Sequence, residues 1–166
     1  FLILTAARSG EVRGATWREV DLGAAVWTIP AERMKAGKEH RVPLSARAVA
    51  ILSALPRMGG NEIVFPAPRG GRLSDMTISA VMRRMRVDAV PHGFRSTFRD
   101  WCSERTGYPR DVAEMALAHT VSNKVEAAYR RGDLFAKRAH LMNDWESFIN
   151  LTPANAEVIA LRRNKA

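Results

Sequence analysis

The chain has 166 residues, 46% of them hydrophobic and 26% charged, a balance typical of a folded soluble domain rather than of a disordered chain. Its net charge of +9 and pI of about 10.7 indicate a protein that binds polyanions, most often nucleic acid, with an ordinary basic soluble protein as the alternative. No apolar run approaches the roughly 20 residues that span a bilayer, and the single cysteine, Cys102, excludes an internal disulfide and fits a reducing cytoplasm.

The first segment, FLILTAA, has the pattern of the end of a buried helix, and a short helical stretch follows from Glu11 to Trp17. VDLGAAVWTIP then predicts a strand that ends at Pro30. The chain opens without methionine and without the basic start of a signal peptide. We therefore expect residues 1–166 to be a fragment of a longer protein.

The next segment, MKAGKEHRVPL, predicts a hairpin with its turn at residues 36–38 and a return strand from Arg41 to Leu44. Proline at position 43 favours the edge of a sheet, because proline has no N–H to donate to a neighbouring strand. Ser45 is a suitable N-cap for the helix SARAVAILSAL that follows.

The rest of the chain is mainly helical. A short buried segment, Ile63 to Phe65, precedes a helix capped by Ser74 or Asp75. A longer helix begins at Gly93, YPRDVAEMALAH follows with proline in its first turn, and DLFAKRAHLMNDWESFI is the last long helix. The predicted inward faces carry Ile78, Val81, Met82 and Met85, then Phe94, Phe98, Trp101 and Cys102, then Leu134, Ala139, Met142 and Trp145. The expected class is mainly α with one small antiparallel sheet.

Two basic motifs are candidates for binding an anion. His92 and Arg95 lie three residues apart at a helix start, where free N–H groups favour a phosphate, although such a pair is more often a cap and a solvated arginine. Arg8 follows an apolar helix and precedes Ser-Gly, within reach of Glu11. It either pairs with Glu11 structurally or offers its guanidinium to a ligand.

Three further residues have a reactive and an ordinary interpretation. Lys35 near the hairpin tip is either a solubilising lysine or a proton donor delivered into a groove. His119 sits in a small apolar patch, and Tyr129 in a basic segment is by default a packing residue. A phenol has a pKa near about 10, so it attacks well at neutral pH only with help from a base or a positive field.

Four separated segments together resemble a known family. They are TAARSGEVRGATWREVDL, MKAGKEHRVPLS, PHGFRSTFRDW and LAHTVSNKVEAAYRR, and they extend from Thr5 to Tyr129. The chain resembles the catalytic domain of the tyrosine recombinases, the phage-integrase family, and looks most like integrases of prophages and genomic islands. The resemblance implies that family's catalytic-domain fold. It also implies an N-terminal core-binding domain, and in many members an arm-binding domain, that residues 1–166 do not include.

The resemblance places the family's catalytic residues on Arg8, Lys35, His92, Arg95, His119 and Tyr129. It implies a DNA integrase in which Tyr129 attacks a phosphodiester, forms a 3′-phosphotyrosyl link and releases a 5′-hydroxyl, with no cofactor and no metal. The two arginines would stabilise the developing negative charge. Lys35 would protonate the leaving oxygen, His92 would take the nucleophile's proton, and His119 would hydrogen-bond the phosphate.

The resemblance also implies the partners. We expect double-stranded DNA with attachment or core sites, a tetramer on that DNA, a monomer or weak dimer without it, no membrane, and a bacterial cytoplasm with nucleoid association during action. The candidates for tracking DNA phosphates are Arg13, Arg18, Lys38, Arg41, Arg69, Arg72, Arg83, Arg84 and Arg86.

Three alternatives stay open from the sequence. The chain could be a basic DNA- or RNA-binding module without activity. It could be an enzyme like the type IB topoisomerases, which use a similar set of residues. The segment from Asp133 to Ile149 and the tail to Ala166 could dock on a neighbouring protomer or pack on their own chain.

Overall fold

A computed structural model describes residues 1–57, 62–119 and 132–151 of the chain. Its α-helices are α1 (Leu2–Thr5), α2 (Ser9–Arg13), α3 (Ala46–Ser53), α4 (Thr77–Arg84), α5 (Gly93–Arg105), α6 (Arg110–Ala116) and α7 (Phe135–Asn150). The strands are β1 (Val20–Asp21), β2 (Val26–Ile29) and β3 (His40–Pro43). This confirms the predicted class, mainly α with one small sheet.

The sheet is antiparallel in the order β1-β2-β3, with Trp27 opposite Val42 in the register of the central pair. β3 is an edge strand and ends at Pro43, as the missing N–H of proline requires. The predicted hairpin is present, but it is wider than the sequence suggested. A 3₁₀ turn, Ala31–Arg33, separates β2 from the tip.

One apolar cluster joins the sheet to α1 and α3. Trp27 and Ile29 are fully buried in it beside Leu4 and Leu52. The Trp27 indole N–H donates to the Glu19 carboxylate at 2.9 Å, which satisfies its polar atom inside the core. Met34 is also buried here, so it holds the base of the hairpin tip against the body of the domain.

A second cluster joins α5, α6 and α7 and is rich in aromatic rings. Trp145 packs edge-on against Phe98, with ring centroids 5.3 Å apart, and lies 5.1 Å from Trp101. The Trp145 indole N–H reaches the carbonyl of Ile3 at 2.8 Å. Helix α7 therefore packs on its own chain. The end of α1 contacts both clusters, since Leu4 belongs to the first and Ala6 to the second.

Several predicted boundaries were wrong by a few residues. The helix predicted from Glu11 begins at Ser9, because Arg8 takes the N-cap position. Helix α4 has Met76 as its N-cap, two residues after Ser74, whose hydroxyl bonds Thr77 instead. Ser45 is the N-cap of α3 as predicted, but its buried hydroxyl has no partner among the described residues.

The predicted inward faces of α5 and α7 contribute to the core, whereas the predicted face of α4 is only partly buried. Phe98, Trp101, Cys102, Met142 and Trp145 all lie in the second cluster. On α4, Met82 is buried, whereas Val81 and Met85 are 37% and 68% exposed. None of the described helices is long and apolar enough to cross a membrane.

Candidate active site

Arg95 lies in the first turn of α5 and is only 5% exposed. Its guanidinium donates to the carbonyl of Ala6 and, at 2.7 Å, to the carbonyl of Leu117. These carbonyls stand at the C-terminal ends of α1 and α6, where helix carbonyls lack partners within the helix and where the dipole favours a cation. Arg95 therefore joins two helix ends that are far apart in sequence.

The charge of Arg95 persists despite its burial. Burial and the neighbouring charge of Arg8 lower the pKa of Arg95 to about 10, and the Glu11 carboxylate opposes that shift. A pKa of about 10 still leaves the group protonated at neutral pH. Arg8 and Arg95 therefore place two positive charges in one region of the domain.

Arg8 is held by Glu11, which confirms one of the two interpretations of this site. Glu11 is 6% exposed. One of its carboxylate oxygens accepts from the Arg8 guanidinium and the other accepts from the Arg8 backbone N–H, both at 2.8 Å. The Arg8 side chain is nevertheless 28% exposed. The pairing thus orients the guanidinium and leaves part of it open to a ligand.

His119 reaches the same place from the end of α6. Its ring nitrogen Nε2 lies 3.4 Å from the Arg95 guanidinium, and Nδ1 lies 2.7 Å from the Glu114 carboxylate. The His119 side chain is 44% exposed. Arg8, Arg95 and His119, which the sequence separates widely, are therefore neighbours around one partly open surface.

His92 occupies the N-cap position of α5 and is exposed. Its carbonyl accepts from the Arg95 N–H at 3.1 Å, but its side chain makes no capping hydrogen bond. The ordinary interpretation, in which the imidazole caps the helix, is therefore wrong for the structure described. Among the described residues the exposed His92 ring has no hydrogen-bond partner, so it is accessible to a ligand.

Lys35 is exposed at the tip of the hairpin, directly after the buried Met34. Gly37 in the same tip has φ +61°, a conformation that glycine adopts without strain. Within residues 1–57, 62–119 and 132–151, Lys35 forms neither a hydrogen bond nor an ion pair. The fold brings Arg8, Arg95 and His119 together, whereas it leaves Lys35 on a projecting turn.

Tyr129 lies outside the described residues. The described chain stops at His119 on one side and resumes at Gly132 on the other. The prediction that Tyr129 is a nucleophile therefore rests on the sequence.

The candidate phosphate-tracking residues fall into two groups. One group is exposed and includes Arg69, Arg72 and Arg86, and the other pairs within the domain and includes Arg18, which pairs with Glu62. Lys38, Arg83 and Arg84 are exposed on the hairpin tip and on α4. Arg13 donates to the Leu73 carbonyl and pairs with Asp75, and Arg41 pairs with Asp133 at 3.5 Å. These internal contacts occupy part of the hydrogen-bonding capacity that the sequence assigned to DNA.

Three residues beside this site were not predicted from the sequence. Glu114 contacts His119, as described above. His40 on β3 hydrogen-bonds the backbone of Ala116. The charges of Arg138, Glu11 and Arg8 act on the pKa of His40. Arg138 is 1% exposed and bonds the carbonyl of Arg41. A histidine two residues before Val-Pro and an arginine inside an apolar helix face were the only signals, and neither says what these side chains contact.

Two solved structures share this architecture. The fold is shared with the integrase from mycobacterium phage Brujita, which has a TM-score of 0.67 and 24% identity over 89% of this chain and 50% of that one. It is also shared with the XerA recombinase, with a TM-score of 0.62 and 18% identity over 91% of this chain and 55% of that one.

Sequence comparison then assigns the family. The model of the phage integrase family matches residues 1–134, and the chain belongs to this family. Prophage integrase IntA of Escherichia coli K12 is 36% identical over 162 residues, which is 95% of this chain and 39% of IntA. The integrase of Enterobacteria phage P4 is 31% identical over 90% of this chain and 38% of its own length.

A further relative is named as a tyrosine recombinase. Tyrosine recombinase XerC of Xanthomonas campestris pv. campestris is 32% identical over 122 residues, or 68% of this chain and 37% of XerC. The chain thus spans about two fifths of the length of these curated relatives. The resemblance to phage and prophage integrases that the four sequence segments indicated is confirmed.

Proposed function

We propose that residues 1–166 form the strand-transfer domain of a larger site-specific DNA recombinase, which integrates or excises a mobile element. The observation that carries the proposal is the convergence of Arg8, Arg95 and His119 on one partly open surface. Membership of the phage integrase family and the named integrase and recombinase relatives support it. So does the net charge of +9, which suits a DNA backbone.

The first step is capture of the phosphodiester that will be cut. Arg8 and Arg95 hold planar guanidinium groups, which bind two oxygens of a phosphate more specifically than a point charge does. The five-coordinate transition state carries about one additional negative charge on its non-bridging oxygens. Two arginines that the protein has already oriented stabilise that charge without reorganising at the moment of reaction. They would fill the role that a metal ion fills in other phosphoryl-transfer sites.

The second step is attack by the Tyr129 hydroxyl oxygen on phosphorus. The bond from phosphorus to the 5′-oxygen breaks, a 3′-phosphotyrosyl ester forms, and the phenolic proton passes to a base, for which His92 is the candidate. Lys35 on the projecting hairpin gives its proton to the leaving 5′-oxygen. The ester keeps the energy of the broken bond, so a 5′-hydroxyl of another strand can reverse the step on a new partner.

Binding and assembly follow from this chemistry. Exchange between two duplexes requires four strand cuts, which four protomers on two DNA sites would supply. Exposed cations such as Lys38, Arg83 and Arg84 would contact phosphates around the cut. Because such contacts release counterions, affinity should fall steeply as salt rises.

The test uses the full-length protein and a nicked duplex that carries the protein's own exchange site. The sequence of that site is read from the junction left by excision. The nick lets the short 5′-hydroxyl strand diffuse away, so that a covalent protein–DNA adduct accumulates. We expect the wild-type protein to form the adduct and Tyr129→Phe to form none. Tyr108→Phe is the matched control, since Tyr108 is the chain's other tyrosine and bonds Asp144 away from the site.

Two outcomes would overturn the proposal. An adduct in the Tyr129→Phe protein would exclude Tyr129 as the nucleophile. Relaxation of supercoiled plasmid without any defined site, at the rate seen with the exchange site, would favour the chemistry of a type IB topoisomerase over site-specific recombination.

A further inference from the structure

The C-terminal end of α6 folds His119 back over its own helix. Ala118 adopts a left-handed conformation, with φ 50°. The His119 N–H then donates to the Glu114 carbonyl at 2.9 Å, and the Ala118 N–H donates to the Met115 carbonyl at 3.1 Å. These are the bonds of a Schellman-type helix end. The turn places the His119 imidazole beside the Glu114 side chain, and Nδ1 lies 2.7 Å from its carboxylate.

The Glu114 carboxylate is held firmly from α5. Its second oxygen accepts from the Arg99 side chain at 2.7 Å, and its side chain is 20% exposed. Burial by itself would raise the pKa of Glu114, but the hydrogen bonds from His119 and Arg99 outweigh burial and lower it. Glu114 is therefore ionised at neutral pH and can only accept hydrogen bonds.

An acceptor at that place decides which ring nitrogen carries the proton. Facing a carboxylate, Nδ1 of His119 must donate, so a neutral ring has its lone pair on Nε2. Nε2 lies 3.4 Å from the Arg95 guanidinium, which can only donate, so both neighbours favour the same tautomer. When the ring takes up a second proton, that proton is on Nε2, on the side where Arg95 would hold a phosphate.

We propose that Glu114 is a positioning residue for strand transfer. It fixes the orientation of the His119 ring, keeps the proton on Nδ1, and stabilises an imidazolium whose Nε2–H donates to a non-bridging oxygen of the phosphate bound at Arg95. This inference rests on the proposed recombinase function and adds a residue to it. The ordinary alternative is that Glu114 serves only as an ion-pair partner, of Arg99 on α5 and of Arg110 on its own helix.

The decisive experiment is a double-mutant cycle in the full-length protein. The variants are Glu114→Ala, His119→Ala and the double variant, and the first-order rate of adduct formation is measured at saturating nicked duplex. Affinity is measured separately in a Tyr129→Phe background. We expect Glu114→Ala to slow the rate by about 10- to 100-fold, as loss of a group that orients a functional histidine typically does, and to change affinity much less.

The coupling distinguishes positioning from folding. If Glu114 acts through His119, then Glu114→Ala has little further effect once His119 is alanine. Glu114→Gln should keep part of the rate, because its carbonyl oxygen still accepts from Nδ1 while the charge is gone. Asp144→Asn is the matched control and should leave the rate unchanged, since Asp144 is an exposed acid bonded to Tyr108. An equal loss from Glu114→Ala in both backgrounds would overturn the proposal.

A second measurement does not depend on catalysis. The ¹⁵N shifts of the His119 ring, recorded above the pH at which the ring protonates, report which nitrogen carries the proton. We expect the Nδ1–H form in the wild-type protein and its loss in Glu114→Ala. An Nε2–H form in the wild type would overturn the proposal even if the protein recombines DNA. If the wild type forms no adduct, the recombinase function fails, and the ring shifts still decide whether Glu114 keeps the proton on Nδ1 of His119.

Discussion

The Arg95 guanidinium donates to the Leu117 carbonyl at 2.7 Å across 22 positions of sequence. The same group donates to Ala6, 89 positions away, so one side chain holds the ends of α1 and α6 together. Arg8 follows Ala6 by two residues and His119 follows Leu117 by two. The spacing of the proposed phosphate-binding groups therefore depends on Arg95 as a structural residue as well as on its charge.

We expect Arg95→Lys to impair both roles of Arg95, the structural one and the electrostatic one. A lysine keeps the charge but lacks the planar fork that reaches both carbonyls, so it leaves at least one buried acceptor unpaired. We expect a loss of about 1–3 kcal/mol in the free energy of unfolding and a fall of about 10²–10³ in the rate of adduct formation. Arg105→Lys, at the exposed end of the same helix, should change neither quantity appreciably. Adduct formation by Arg95→Lys at the wild-type rate would show that the fork is dispensable.

His40 gives the stability of the domain a pH dependence. Burial, with the charge of Arg138 next, lowers its pKa from 6.5 to about 4. Below pH 6.5 the His40 ring takes up a proton in the unfolded chain, whereas in the folded chain it stays neutral until the pH approaches 4. The contribution of neutral His40 to the free energy of unfolding is therefore fully present above pH 6.5. About 3 kcal/mol is lost as the pH falls towards 4.

The measurement is denaturant unfolding of wild type and His40→Gln between pH 4 and pH 7.5. The difference between the two unfolding free energies should change with pH across that window, because carboxylates common to both proteins cancel. His140→Gln should run parallel to wild type, since His140 is exposed on α7. A constant difference between His40→Gln and wild type would contradict the assignment of a neutral, half-buried His40.

Arg138 should be a structural residue in spite of its charge. It is 1% exposed, and its guanidinium bonds the carbonyls of Arg41 and Asp133 and the Asp133 carboxylate. Arg138→Met should cost about 1–3 kcal/mol of unfolding free energy, because those carbonyls lose their donor. Lys137→Met, one position earlier and exposed, should fall within about 0.5 kcal/mol of wild type. If Arg138→Met and Lys137→Met change the free energy of unfolding equally in thermal or denaturant melts, the hydrogen bonds of Arg138 contribute nothing to stability.

Lys35 can be tested as the proton donor through the leaving group. Lys35→Ala should slow cleavage of a normal duplex, but it should have little effect on a duplex whose bridging 5′-oxygen is replaced by sulfur. A thiolate leaves without a proton, since a thiol has a pKa of only about 8.5. Lys38→Ala, three residues along the same turn, should weaken binding without a selective loss on the oxygen substrate. Equal losses with both substrates would assign Lys35 to DNA binding instead.

The sequence by itself determined the elements and the candidates. Apolar residues at helical spacing located α5 and α7, proline located the sheet edge, and four ordered segments indicated the integrase family. These signals are local, since each depends on spacing within one segment. Boundaries were less certain, because a serine suited to capping does not always form the cap. The Ser74 hydroxyl bonds Thr77 while Met76 is the N-cap of α4, and the hydroxyl of the N-cap Ser45 has no partner among the described residues.

Only the tertiary structure decided how the charged residues are used. Arg138 shares the apolar face of α7 with Leu141, Met142 and Trp145. A charge is stable there because the carbonyls of Arg41 and Asp133 supply acceptors. Glu114 was one of two acids on α6, until the turn at Ala118 brought His119 to it. A buried charge is stable only where partners surround it, and those partners come from segments that meet only after folding.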